Sequence, residues 1–167
     1  MDRLWTPWRY QYIKGAGADE PQSDAPACIF CALHEDTEHD ESNYIVHRAE
    51  HNYIVLNRFP YTNGHLLIIP YQHTADLDAV SKPATDEMMD LAKRAQTILR
   101  AAYRPDGFNL GMNLGRAAGA GVAGHVHLHV LPRWTGDANF MSNIGETRVL
   151  PEDLATTYEK LRGKFIN

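Results

Sequence analysis

The chain has 167 residues, 44% apolar and 22% charged, enough for one domain with a real core and too few for two. Its net charge of −5 excludes a protein that coats a nucleic-acid polymer through a basic surface, but leaves room for a small nucleotide in a local pocket. No apolar run approaches the roughly 18 residues of a membrane span, and the opening MDRLWTPW lacks the apolar stretch of a signal peptide, so a cytoplasmic protein with no membrane partner is expected.

Residues 1–27 read as an arm and a loop. MDRLWTPWRYQYIK holds two Trp and two Tyr among basic residues, which predicts docking on the domain or on a second subunit. GAGADEPQSDAPA has no periodicity and reads as a flexible loop. Cys28-Ile29-Phe30-Cys31 follows, a C-x-x-C that suits either zinc or a redox pair. One such pair supplies half a tetrahedral zinc sphere, so two more ligands are required. Residues 32–43 are polar and acidic and are expected to form a loop, with His34 and His39 as solvated residues or spare ligands.

Tyr44–Arg48 and Tyr53–Asn57 are short β-rich runs that read as a hairpin. A turn-rich link, Arg58–Gly64, leads to a third strand, His65–Pro70, ended by its proline. Residues 84–103 form the one long helix. Met88, Leu91, Ala92, Ala95, Ile98, Leu99 and Ala102 make its apolar stripe, Thr85 is the expected cap, and Pro105-Asp106-Gly107 ends it. Phe108–Leu114 is an alternating strand whose polar set is Asn109, Gly111 and Asn113. The segment 115–124 is rich in Gly and Ala, and such glycines let backbone N–H groups approach phosphate closely. A short C-terminal helix beginning near Pro151 carries Leu154, Tyr158 and Leu161 on one face.

The chemistry concentrates in Gly124-His-Val-His-Leu-His-Val-Leu-Pro-Arg133. Val126, Leu128 and Val130 alternate with His125, His127 and His129, which predicts a strand with one face in the core and three imidazoles on the other. With 9 His in 167 residues, roughly one chain in forty of this composition would carry an alternating triple by chance, so a merely solvated face is the weaker reading. Alternate Cα atoms on a strand lie about 6.6 Å apart, so His125 and His129 are too far apart to share one metal, and the three rings hold separate roles. Imidazole serves as nucleophile, acid, base, donor or ligand, and a row of such groups suits phosphate oxygens.

HVHLHVLPRW resembles the signature of the histidine triad (HIT) family of nucleotide hydrolases and transferases, His-φ-His-φ-His-φ-φ with φ apolar, at every position. The resemblance covers about residues 28–134. LWTPWR near the start and RWTGDANF after the triad are further similar to a bacterial branch that includes diadenosine-tetraphosphate phosphorylases and hydrolases. It implies a single α+β domain over residues 1–167. The arm and loop would occupy 1–27, the core 28–134, and a loop and helix 135–167. Its core would be a five-stranded antiparallel sheet with one long helix on one face, plus the short C-terminal helix, usually paired into a homodimer. The order β-β-β-α-β-β agrees with that architecture.

The resemblance also implies roles. His127 would attack the α-phosphorus of a nucleotide, His129 would handle phosphate and proton, and His65 would support the triad from a neighbouring strand. Asn57 falls at a ribose-hydroxyl position and Asn113 at a phosphate-side amide position. Gly119, Gly121 and Trp134 complete the expected substrate-binding set. Relatives often carry Ser, Thr or Gln just before the triad; here Gly121, Val122 and Ala123 leave that work to backbone N–H groups. Relatives with C-x-x-C complete a zinc site with two histidines, which map to Cys28, Cys31, His73 and His125, a structural Cys₂His₂ sphere. The expected substrate is a dinucleoside polyphosphate, with water or phosphate as acceptor. The competing readings are a purine nucleoside phosphoramidase, a nucleotide-binding HIT protein with little catalysis, and a zinc-stabilised interaction protein that uses Trp5 and Trp8.

Overall fold

The computed structural model describes residues 28–145, 147 and 149–165. The expected docking of the aromatic arm falls on residues outside that set. Two short helices come first, α1 (Ile29–Glu35) and α2 (Asp40–Asn43), followed by β1 (Ile45–Arg48), β2 (Asn52–Leu56) and β3 (Leu66–Pro70). The long helix α3 spans Lys82–Tyr103; then come β4 (Gly107–Gly111), β5 (Leu128–Arg133), α4 (Phe140–Asn143) and α5 (Leu154–Leu161). The strands form one five-stranded sheet in the order β1-β2-β3-β5-β4, with every neighbouring pair antiparallel. Among the described residues no helix is long and apolar enough to cross a membrane.

Side-chain alternation splits the sheet into two faces. Ile54, Leu56, Leu66, Ile68, Leu128 and Val130 point to one face, where Met88, Leu91, Ala92, Ala95 and Leu99 of α3 and Tyr158 and Leu161 of α5 close the main core. The i, i+3, i+4, i+7 spacing of the α3 stripe puts those five side chains on one side of the helix. Ile98 is half-buried and Ala102 exposed, so the stripe fades towards the C-terminus. On the opposite face Phe30 of α1 packs with Ile45, Tyr53, Val55, Leu67 and Ile69. The histidines belong to this second face.

Three expectations need correction. Residues 32–43 are not all loop, because α1 and α2 lie there. These helices are too short to show an apolar period. They are held from outside by Arg48, whose guanidinium donates to the carbonyls of Leu33, His34 and Asp36 and to the Asp40 carboxylate. Second, α3 starts before residue 84, with Ser81 as its cap accepting from the Ala84 N–H (3.4 Å), while the Thr85 hydroxyl donates to the Lys82 carbonyl. Pro83 sits in the first turn, where its missing N–H costs nothing. Third, β4 ends at Gly111, so Asn113 lies beyond it.

Candidate active site and metal centre

The histidine row is buried rather than wet: His125, His127 and His129 are 1, 5 and 8% exposed. Only His129 lies within the paired part of β5, opposite Leu67 of β3 and Gly111 of β4. Ahead of that point the chain leaves the sheet ladder, and the Val126 N–H donates to the Thr74 carbonyl (2.8 Å) instead of to a strand. The alternation survives, with Val126, Leu128 and Val130 all buried among apolar side chains.

Each ring has its own partners. His127 donates Nδ1–H to the backbone carbonyl of His125, 2.9 Å away. That bond fixes the tautomer and leaves the lone pair on Nε2. The Phe30 ring packs edge-on against His127 at 5.0 Å between centroids, and His129 contacts it from the other side at 4.9 Å. Burial pushes the His127 pKa below its ordinary value, opposed by the bond to the His125 carbonyl. Burial thus favours the neutral ring, the form a nucleophilic imidazole requires.

His129 is oriented by a chain of hydrogen bonds that begins on the backbone. Gly64, at φ +73°, closes the β2–β3 turn, and a Cβ there would lie 3.0 Å from Leu99 Cδ2. This turn aims the Tyr61 N–H at His65 Nδ1 (3.1 Å), and the Asn57 side-chain amide approaches the same nitrogen at 3.3 Å. Two donors on Nδ1 make it an acceptor, so His65 carries its proton on Nε2 and donates it to His129 Nδ1 at 2.9 Å. His129 must then carry its own proton on Nε2. That atom is buried without a hydrogen-bond partner among the described residues. Burial, then the neighbouring His127, lowers the His129 pKa to about 4. An N–H donor with no partner among the described residues, on a ring packed against His127, matches what a phosphoryl group undergoing attack requires.

His125 turns away from this pair. Its Nε2–H donates to the Pro70 carbonyl (2.9 Å), which leaves Nδ1 as the free electron pair. Nδ1 lies 3.4 Å from Cys28 Sγ, 3.7 Å from Cys31 Sγ and 3.3 Å from His73 Nδ1, and His73 Nδ1 lies 3.3 Å from Cys31 Sγ. The four donor atoms all lie within 4.8 Å of one another. A tetrahedral zinc with bonds of about 2.3 Å to sulfur and 2.05 Å to nitrogen has edges of about 3.3 Å (N···N) and 3.5 Å (S···N). The observed N···N separation of 3.3 Å and S···N separations of 3.3, 3.4 and 3.7 Å are close to those edges. The donor set fits a divalent cation. Burial, then the Cys28 thiol, pushes the Cys31 thiol pKa up.

The other expected residues are scattered more widely. Asn57 lies just past β2, with its side-chain oxygen accepting from the Phe59 N–H (3.0 Å). Asn113 is half-buried beyond β4. Gly119 takes φ +86° and closes a 3₁₀ turn over Arg116–Ala118, while a Cβ at Gly121 would meet nothing within 4 Å. Trp134, just after β5, lines a cavity with Tyr61 rather than packing on His127. His34 packs on Tyr71 and His39 pairs with Asp36, so neither joins the cysteines.

Two neighbours were not singled out by sequence. Phe30 sits between the cysteines and walls His127; its carbonyl accepts from the buried Tyr53 hydroxyl (2.8 Å), which ties α1 to the sheet. Tyr61 stacks over His129 at 6.1 Å and tilts against His65 at 4.9 Å. An apolar residue inside C-x-x-C was the one available signal for Phe30. Tyr61 gave none beyond an aromatic ring in a turn.

A family model for the HIT domain matches residues 38–136. An AP-4-A phosphorylase of Mycobacterium tuberculosis (strain H37Rv) is 39% identical over 159 residues, 94% of this chain and 80% of that protein. Among solved structures, a Zn-bound histidine triad family protein from Mycobacterium smegmatis superposes with TM-score 0.65 at 31% identity, covering 83% of this chain and 92% of the other. A hypothetical histidine triad nucleotide-binding protein from Sulfolobus tokodaii gives TM-score 0.65 at 26% identity, over 82% of this chain and 91% of that one. The chain belongs to the histidine triad family of nucleotide hydrolases and transferases.

Proposed function

We propose that the protein cleaves a dinucleoside polyphosphate of the diadenosine tetraphosphate type at an α-phosphate, through a covalent nucleotidyl-His127. The observation that carries this reading is the pairing of His127 Nε2, a lone pair fixed by the His125 carbonyl, with the unpartnered Nε2–H of His129. His127 Nε2 attacks the α-phosphorus, and the bond to the bridging oxygen breaks. The leaving nucleoside polyphosphate takes the electron pair, and the His129 N–H stabilises the charge that develops on oxygen. An acceptor oxygen then attacks the same phosphorus and returns the pair to His127. Asn57 and Asn113, with the backbone around Gly119 and Gly121, bind the sugar and phosphates, and Trp134 borders the substrate. His65 positions His129.

Phosphate is the acceptor we favour over water, because the relative of 39% identity is an AP-4-A phosphorylase. Zinc, when bound by Cys28, Cys31, His73 and His125, supplies a structural cross-link between α1, the segment after β3 and the catalytic strand. We assign the protein to the cytoplasm as a homodimer that pairs through the exposed edge of β4, where Leu110 is 40% exposed.

Product analysis tests the reading. With diadenosine tetraphosphate and inorganic phosphate, a phosphorylase yields ADP plus ATP, and no ATP appears when phosphate is omitted. AMP plus ATP without phosphate identifies a hydrolase. His127→Ala is expected to abolish turnover while AMP still binds, and retained turnover would remove His127 as the nucleophile. Turnover of adenosine phosphoramidate alone would move the protein to the phosphoramidases.

A further inference from the structure

A cavity of about 860 Å³ opens where β5 ends, between the β2–β3 turn and the segment leading into α5. Its volume is within the roughly 300–1,000 Å³ typical of small-molecule sites. It borders the histidine row: Tyr61, which stacks on His129, is one wall, and Leu131, two residues on from His129 in β5, is another. At strand spacing Leu131 lies about 13 Å along the chain from His127, a distance that a bridge of several phosphates spans.

The lining is aromatic and internally neutral. Tyr61, Tyr103 and Trp134 present rings. The charged side chains on the wall are already matched: Arg133 grips Asp137 through two hydrogen bonds of 2.6 Å, and Lys160 pairs with Glu152. Among the described lining residues this leaves no uncommitted cation for a phosphate. Two polar atoms of wall residues, Thr62 Oγ1 and Asn63 Oδ1, are buried with no hydrogen-bond partner among the described residues. Asn63 Oδ1 accepts only, and Thr62 Oγ1 donates or accepts. A phosphate offers no donor to such a pair, whereas sugar hydroxyls and an exocyclic amine do.

We infer that, on the dinucleoside polyphosphate reading of the substrate, this cavity holds the second nucleoside, the one on the leaving side. Its base lies among the rings, and its donors meet Asn63 and Thr62 once the wall opens to admit it. The phosphate bridge runs back past Tyr61 to His129 and His127. The cavity thus selects dinucleotides over mononucleotides, while the histidine row performs the chemistry on either.

The double variant Thr62→Val/Asn63→Leu tests this without breaking an internal hydrogen bond of either buried atom. Equilibrium dialysis with labelled adenosine, in the presence of saturating AMP, reads the second site directly. Wild type is expected to bind adenosine under these conditions, and the variant at least about tenfold more weakly. In parallel, KM for diadenosine tetraphosphate should rise by a similar factor, while kinetics on an AMP p-nitrophenyl ester stay unchanged. No adenosine bound to AMP-saturated wild type, equal binding by both proteins, or equal losses on both substrates would overturn the proposal. Adenosine binding without any turnover of diadenosine tetraphosphate would overturn the substrate reading and its leaving-side role, and leave the nucleoside site standing.

Discussion

The carbonyl oxygen of His125 receives the Nδ1–H of His127 at 2.9 Å, so the backbone of a candidate metal ligand sets the tautomer of the proposed nucleophile. The same residue turns its ring into the Cys28, Cys31 and His73 cluster. Phe30, one residue before Cys31, rests on the His127 ring. The candidate metal centre and the proposed nucleophile therefore share two direct mechanical links, one through the backbone and one through an aromatic wall.

Removal of zinc is expected to destabilise the whole domain. The four candidate ligands come from the cap and first turn of α1, the segment after β3 and the stretch leading into β5, so a bound ion would cross-link regions that are remote in sequence. Chelation should lower the melting temperature by about 10 °C, as should Cys31→Ser, and added zinc should restore the chelated wild type but not the variant. Identical melting curves with and without chelator, on protein shown to have carried zinc, would rule out a structural role.

His65 should matter through orientation rather than contact with the reacting bond. His65→Ala removes the only described donor to His129 Nδ1, which frees that ring to place its proton on the wrong nitrogen. The expected fall in kcat is roughly ten- to hundredfold with little change in AMP affinity, and His65→Gln, whose amide can still donate, should recover part of it. Steady-state kinetics with parallel AMP titrations separate the two effects. A loss confined to AMP affinity would place His65 in nucleotide binding.

Features with a local period were legible in the sequence, and those built across the chain were not. The alternation of Val126, Leu128 and Val130 against the histidines, and the α3 stripe from Met88 to Leu99, follow from spacing alone. Helices α1 and α2 escaped because what holds them is Arg48, a dozen residues downstream. The expected start of α3 rests on Thr85 as cap, whereas Ser81 caps the helix and Pro83 fits its first turn, where a missing N–H is compatible with helix. The bond from His65 to His129 depends on the register of β3 against β5, with His65 lying diagonally from His129, and no spacing rule supplies a register between strands so far apart in sequence.

The pH response follows from the buried imidazoles. His129 is held down to about 4 by burial and then by His127, and burial also lowers His127. In the unfolded chain a histidine titrates near 6.5, so as pH falls below about 6.5 the unfolded state takes up protons that the folded state refuses. The stability contribution is therefore complete above about 6.5 and is lost progressively towards 4. Thermal melts across that window should show a falling melting temperature, with a shallower slope in His129→Asn than in wild type. In the proposed mechanism neutral rings are also the active form, so kcat/KM should hold its plateau to lower pH than an ordinary histidine allows. An acid limb centred at 6.5 would contradict the burial of these rings.

Arg48 is the residue whose loss should most damage the N-terminal part of the site without touching the nucleophile. Its guanidinium grips the Asp40 carboxylate and three backbone carbonyls that would otherwise lack partners at the end of α1 and in the link to α2. With its side chain only 21% exposed, it is screened less than a surface pair. Arg48→Ala should cost about 2–3 kcal/mol in urea unfolding, since both the carboxylate and the carbonyls lose their donor. Arg48→Lys should recover little, because one ammonium cannot reproduce a planar fork that reaches four acceptors. Because α1 carries Phe30 and Cys31, the same variants should release zinc to a chelator faster than wild type. Unchanged unfolding midpoints and zinc release in Arg48→Ala would show that α1 is held by the sheet contacts of Phe30 and the Tyr53 hydroxyl alone.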